Sequence, residues 1–206
     1  MKTVNIYIIN TEELLQDDRI LPVIPGYYAK KYEKAKVSRV KRQELAAGYL
    51  LATYLDVHGD DCIIENEHGK PAINPEAGIH IREFSISHSG NFVVLAVSDE
   101  PVGIDIEDSE RMNLPVFKRI LPEEYYERLV QGEFPMEEEF SKDEKLGQAK
   151  IWTTVEAIIK ARGTGFKIDP KKDNSLFDSW HTKSIVYGGK YVITCALSNP
   201  FSIEVL

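Results

Sequence analysis

Residues 102–107 read Val102-Gly103-Ile104-Asp105-Ile106-Glu107, an apolar run broken by two carboxylates two positions apart. A short run of this kind forms a buried strand, and side chains at i and i+2 of a strand point to one face. Asp105 and Glu107 then project together from a hydrophobic element. Like charges on one buried face are costly unless a cation lies between them. A hard divalent ion meets that need, and Mg²⁺ is commonly held by one or two carboxylates together with substrate phosphates. The same spacing also fits a strand end whose acids reach solvent, because Asp108 and Glu110 follow at once.

Length allows one large domain or two packed halves: 206 residues can bury a sizeable core. With 43% hydrophobic and 28% charged residues, the composition is that of an ordinary globular protein. The central apolar run, Phe92 to Val97, is far too short to span a bilayer. After Met1-Lys2 the chain alternates as Val4, Ile6 and Ile8, a strand pattern and not a signal peptide, so a cytoplasmic location without membrane contact is expected. Cys62 and Cys195 lack metal-ligand spacing and read as free core thiols. A net charge of −8 argues against a nucleic-acid binder. Charge is nevertheless uneven. Lys30, Lys31, Lys34, Lys36, Arg39, Lys41 and Arg42 face only Glu33, a local basic cluster suited to a polyanionic small molecule or an acidic partner. The acidic residues between 133 and 144 read as a solvated face.

Periodicity and turn residues predict a strand over 3–9, helices over about 27–36 and 41–57, and a turn at His68-Gly69-Lys70-Pro71. A strand pair over 84–88 and 91–98 leads into the acid-bearing strand. A helix over 115–131 follows, then one from about Gly147 to Ala161 stopped by Gly163-Thr164-Gly165, and strands near 183–187 and 190–197. Leu95-Ala96-Val97-Ser98 matches Cys195-Ala196-Leu197-Ser198 at an offset of 100. With one residue dropped, the segment from Pro101 to Ile106 matches Pro200 to Val205. An offset near half the length is what a duplicated unit produces. It predicts two similar α/β halves, approximately 1–101 and 102–206, with a ligand site in the groove between them.

In the helix near 151–160, Ile151, Val155, Ile158 and Ile159 form an apolar stripe, while Glu156 and Lys160 share another face. That pair fits a surface Glu–Lys contact. It also fits a third carboxylate and a phosphate-binding lysine, if the face turns to the groove beside Asp105 and Glu107.

Four pieces in order, Gly69-Lys70-Pro71, Ser85-Ile86-Ser87-His88-Ser89-Gly90, Gly103-Ile104-Asp105-Ile106-Glu107 and Trp152 with Val155-Glu156-Ala157 and Lys160, resemble the 4′-phosphopantetheinyl transferases. The likeness is to the larger surfactin-type branch of two similar halves in one chain. It implies an α+β fold of two pseudo-twofold-related halves with mainly antiparallel sheets. The implied reaction moves the 4′-phosphopantetheine arm of coenzyme A to a serine of an acyl or peptidyl carrier protein, releasing adenosine 3′,5′-bisphosphate. By similarity, Asp105, Glu107 and Glu156 hold Mg²⁺, Lys70 and His88 contact the 3′-phosphate, and Ser87 beside His88 also binds the coenzyme. Lys160 meets the pyrophosphate, and Arg42 or Lys41 holds phosphate. Glu156, or a water it orients, is the base for the serine hydroxyl. A monomer is expected, since both halves lie on one chain.

One departure stands out. The family usually has lysine just before this glutamate; here the position is Val155, and Lys150 or Arg162 is expected to supply charge nearby. Two other readings remain: a coenzyme A-binding paralogue that has lost turnover, and a metal-dependent nuclease using the same acids, which the acidic net charge disfavours.

Overall fold

A computed structural model of the chain describes residues 2–14, 17–133, 136–165, 169–173, 175 and 177–206. Strand β1 (Lys2–Asn10) leads through α1 (Asp17–Ile20) and α2 (Gly26–Lys34) to the long helix α3 (Ser38–Leu55). A small hairpin of β2 (Ile63–Glu65) and β3 (Pro71–Ile73) precedes β4 (Glu83–Ser89), β5 (Phe92–Ser98) and β6 (Gly103–Asp108). Then come α4 (Leu114–Ile120), α5 (Glu123–Val130), α6 (Glu138–Ser141) and the second long helix, α7 (Glu144–Arg162). Strands β7 (His181–Tyr187), β8 (Tyr191–Leu197) and β9 (Phe201–Val205) complete the described order.

The strands form sheets ordered β4-β5-β1-β9 and β6-β8-β7, beside the β2-β3 hairpin. All neighbours pair antiparallel except β1 with β9, which is parallel. Alternation along β5 explains the layering. Val93, Leu95 and Val97 join the core beneath α3, whereas Val94 and Ala96 join the core between the sheets. β8 does the same in reverse, with Val192 and Ala196 against α7 and Ile193, Cys195 and Leu197 between the sheets. The result is an α+β sandwich, helix over sheet over sheet over helix, with mainly antiparallel sheets.

Ile104 and Ile106 of β6 enter the inter-sheet core, which turns Gly103, Asp105 and Glu107 toward α7. Gly103 is what lets the helix close on the strand. A Cβ there would collide with the Ala157 carbonyl oxygen and stand 2.5 Å from the Ala161 amide nitrogen. The apolar stripe of α7 is buried as expected, with Val155 fully enclosed. The helix ends where Gly163 takes φ of 68°, its amide bonding the carbonyls of Ile159 and Lys160.

Several boundaries differ from those expected. The single helix over 115–131 is two, α4 and α5, separated by Leu121 and Pro122; Leu121 is extended (ψ 140°), the conformation a following proline imposes. β2 and β3 are three-residue strands too short for a periodic signal, and β9 is an additional strand joined to the opposite end of the chain. Both cysteines are free, but only Cys195 is a core residue; Cys62 is half-buried. No described helix is long and apolar enough to cross a membrane.

Candidate active site

Where the two sheets meet, α3, α7, β4 and the β2–β3 turn enclose a groove of about 340 Å³. Its basic wall carries Lys31, His68, Lys70 and His88, and α7 contributes Glu156 and Lys160. The Asn66 side chain shapes the turn that bears Lys70: its Oδ1 accepts from the amides of His68 and Lys70, and its Nδ2 donates to Gly163 O. Lys70 Nζ donates to Val102 O at 3.1 Å, tying this turn to the start of β6. Burial pushes the Lys70 ammonium below its usual pKa, against the pull of Glu83. His88 is also held below the ordinary range, first by desolvation and then by the charge of Lys160.

Lys160 is the hub. Its Nζ donates to Asp105 Oδ1 at 2.7 Å, Ser87 Oγ at 2.9 Å and Ile104 O at 3.1 Å. Ser87 Oγ in turn donates to Asp105 Oδ1 at 2.6 Å. Glu107 Oε1 accepts from Ser89 Oγ at 2.8 Å and from the Asp108 amide at 3.1 Å. Glu156 is pushed up to about 7, mainly by burial, then by the negative charge of Asp105, with Lys160 opposing and Glu107 adding a further rise. Asp105 and Glu107 thus both act on the Glu156 carboxylate.

The site residues are divided between surfaces. Lys70, His88, Glu156 and Lys160 line the groove together. Asp105 is buried behind Lys160, and Glu107 lines a neighbouring pocket with Arg111, Met112, Val116 and Trp152. The hydroxyl of Ser87 is engaged by Asp105 and Lys160. Lys41 and Arg42 do not line the groove: Lys41 Nζ lies over the Tyr32 ring, and Arg42 Nη1 donates to Thr11 O at 2.9 Å. Nor do Lys150 and Arg162 compensate for Val155, because Lys150 pairs with Glu137 and Arg162 with Asp173. Of the basic cluster expected to suit a polyanion, Lys31 is the member that lines the groove; His68 and Glu44 are not among the expected site residues, and Glu44 is half-buried and raised in pKa by desolvation with Lys31 opposing.

Among the described residues no three His, Cys, Asp or Glu side chains stand close enough to cage a metal ion. The donor chemistry nevertheless suits a hard divalent cation. Among the described residues, the hydrogen bonds to the two strand acids fall on Asp105 Oδ1 and Glu107 Oε1, so Oδ2 and Oε2 are the oxygens with which they would coordinate, and a divalent cation would offset the repulsion that adds to the rise of Glu156.

A basic wall facing an acidic strand and a Glu–Lys helix face makes this an α+β protein equipped to hold phosphate groups. The chain belongs to the 4′-phosphopantetheinyl transferase superfamily, whose family model matches residues 101–203, half of the sequence. It is 34% identical to 4′-phosphopantetheinyl transferase psf-1 of Bacillus pumilus, over 52% of this chain and 42% of that protein. Identity is 33% to 4′-phosphopantetheinyl transferase Sfp of Bacillus subtilis (strain 168), over 50% of this chain and 41% of that one. With 4′-phosphopantetheinyl transferase gsp of Aneurinibacillus migulanus it is 30%, over 70% and 55%. The chain thus spans about half the length of the curated relatives it matches.

Proposed function

We propose that the protein transfers the 4′-phosphopantetheine arm of coenzyme A to a serine hydroxyl of an acyl or peptidyl carrier protein, releasing adenosine 3′,5′-bisphosphate. The observation that carries this reading is one groove lined by Lys70, His88, Glu156 and Lys160, with Asp105 bonded to Lys160 behind it. Lys70 and His88, aided by Lys31, bind the 3′-phosphate end. Lys160 binds the pyrophosphate, exchanging part of its contact with Asp105 for phosphate oxygens. Asp105, Glu107 and Glu156 are the residues to hold Mg²⁺, which when bound neutralises charge on the pyrophosphate.

Chemically, the serine oxygen forms a bond to the phosphorus bearing the pantetheine arm, and the P–O bond to the bisphosphate breaks. The serine proton passes to Glu156 or to a water that it orients, a carboxylate on the groove wall being the group placed to take it. No protein nucleophile takes part. Val155 is packed in the core and Lys150 and Arg162 are engaged elsewhere, so Lys160 is the cation of α7 left to meet the phosphates. The shared order β4-β5-β1 and β7-β8-β6, each sheet covered by a long helix, supports an origin from two duplicated halves, approximately 1–101 and 102–206. The protein works as a cytoplasmic monomer and needs neither nucleic acid nor membrane.

Incubation with coenzyme A, Mg²⁺ and an apo carrier protein should add one phosphopantetheine to the carrier, read by mass. Asp105→Ala should remove that gain while retaining a cooperative unfolding transition. Coenzyme A binding without mass gain by the unaltered chain would favour an inactive paralogue, the reading Val155 alone encourages.

A further inference from the structure

β4 and β6 are the strands where the two sheets meet, yet the bonds between them run through side chains. Ser85, Ser87 and Ser89 lie at i, i+2 and i+4 of β4 and share one buried face. Ser85 Oγ accepts from the Ile104 amide at 3.1 Å, and Ser89 Oγ accepts from the Asp108 amide at 3.3 Å. Hydroxyls thus take the place of strand carbonyls along the free edge of β6. A seam made this way holds the sheets one side chain apart, and the spare hydroxyl protons point at the acids. Ser87 donates to Asp105 Oδ1, and Ser89 donates to Glu107 Oε1.

Resting on the transferase reading above, we propose that Ser89 is a positioning residue: it pins one oxygen of Glu107 so that the other is presented to the catalytic cation. Without that bond a glutamate side chain rotates about three bonds, and Arg111, 3.7 Å from the same oxygen, competes for it. Asp105 has two such tethers, Ser87 and Lys160. Glu107 depends on Ser89 and its neighbouring Asp108 amide. Ser85 serves as an internal contrast, since its hydroxyl oxygen accepts from a backbone amide on β6.

The test measures Mn²⁺ binding by electron paramagnetic resonance on the full chain with coenzyme A present. Ser89→Ala should weaken Mn²⁺ about ten- to a hundredfold, and kcat should fall with little change in the KM for coenzyme A. Ser85→Ala should lower the unfolding midpoint and leave Mn²⁺ affinity alone. A folded Ser89→Ala that binds Mn²⁺ as tightly as the unaltered chain overturns the proposal. If the alanine variant does not fold, Ser89→Cys, nearly the same size and a weak donor, replaces it. Weakened binding supports the assignment, and unaltered affinity overturns it. An unaltered chain that binds no Mn²⁺ with coenzyme A present would instead sink the transferase reading, and the positioning role with it.

Discussion

Helices α3 and α7 have nearly equal lengths, 18 and 19 residues, and each covers one sheet, yet they are seated by different means. At Gly48 of α3, an added Cβ would meet the side chains of Ile24 and Tyr28 at 2.9 to 3.0 Å. At the foot of α7, the Cβ missing from Gly103 would meet helix backbone. Both contacts are tighter than a Cβ tolerates, but the one at 103 runs into the hydrogen-bonded backbone of the helix itself. The helix carrying Glu156 and Lys160 is therefore located by its own backbone against β6, whereas α3, which sends Glu44 and Ala47 to the groove, rests on the side chains of Ile24 and Tyr28.

The most severe test of that contrast is Gly103→Ala. It should cost about 3 kcal/mol or more, at the upper end of overpacking effects, seen as a large drop in the urea midpoint. Transfer should fall even in the folded fraction, because α7 must back away from β6. Should Gly103→Ala retain wild-type stability, the rigid seating of α7 is wrong.

Glu156→Gln probes the same helix through its charge. Transfer should drop at least about a hundredfold, as loss of a base and cation ligand requires. Stability of the metal-free protein should move the other way. The carboxyl sits at about 7 in the fold and near 4.5 in an unfolded chain. The folded state therefore holds the proton more tightly across that window, and stability falls as pH rises through it. Glutamine removes the cost, so denaturation in chelator should show a gain on the order of 1–3 kcal/mol above pH 7 that vanishes by pH 4. A gain that persists at pH 4 would mean that glutamine packs better and that charge is not the cause.

Gly48→Ala completes the comparison. Its Cβ would press on the β-carbons of Ile24 and Tyr28, which move only with the backbone that carries them, so the cost should be about 2 kcal/mol, still smaller than at 103, with coenzyme A affinity little changed in a direct binding titration.

The same contrast explains what could be seen in the residues beforehand. Ile104 and Ile106 alternate with Asp105 and Glu107, and Ile151, Val155, Ile158 and Ile159 recur at helical spacing; such local periods announce buried faces, and they are buried. The four motif segments likewise lie on β3, β4, β6 and α7 or the turns beside them. What could not be read depends on rotation and on distant partners. Arg42 and Glu44 are two residues apart in one basic segment, but two residues are roughly 200° on a helix. Only Glu44 lines the groove. Lys31 appeared as one charge in a cluster, and nothing local says that it, and not Lys41, faces His88. β9 is paired in parallel with β1, nearly 200 residues away, a contact no window of sequence contains. The break between α4 and α5 falls at Pro122, a residue that the single helix over 115–131 would have had to contain.

Two lysines of α7 carry the comparison to its finest scale. Lys160 has three acceptors, one of them a carboxylate that is itself fixed by Ser87. Lys150, on the far side of the helix, pairs with the exposed Glu137 and lies over the Phe140 ring, and burial lowers it to about 8. Lys160 is held where the groove needs a cation, whereas Lys150 is a charge the fold tolerates at a loss. In the unfolded chain its pKa returns to about 10.4, so the folded state loses the proton first and stability climbs as pH rises from 8 toward 10. Lys150→Met keeps the length of the side chain and removes the charge. It should raise the unfolding midpoint by the equivalent of about 1 kcal/mol below pH 8, with the advantage shrinking as pH approaches 10 and with carrier modification unaffected. An equal gain at every pH would assign the effect to better packing, and a loss of modification would mean that Lys150 serves the groove after all.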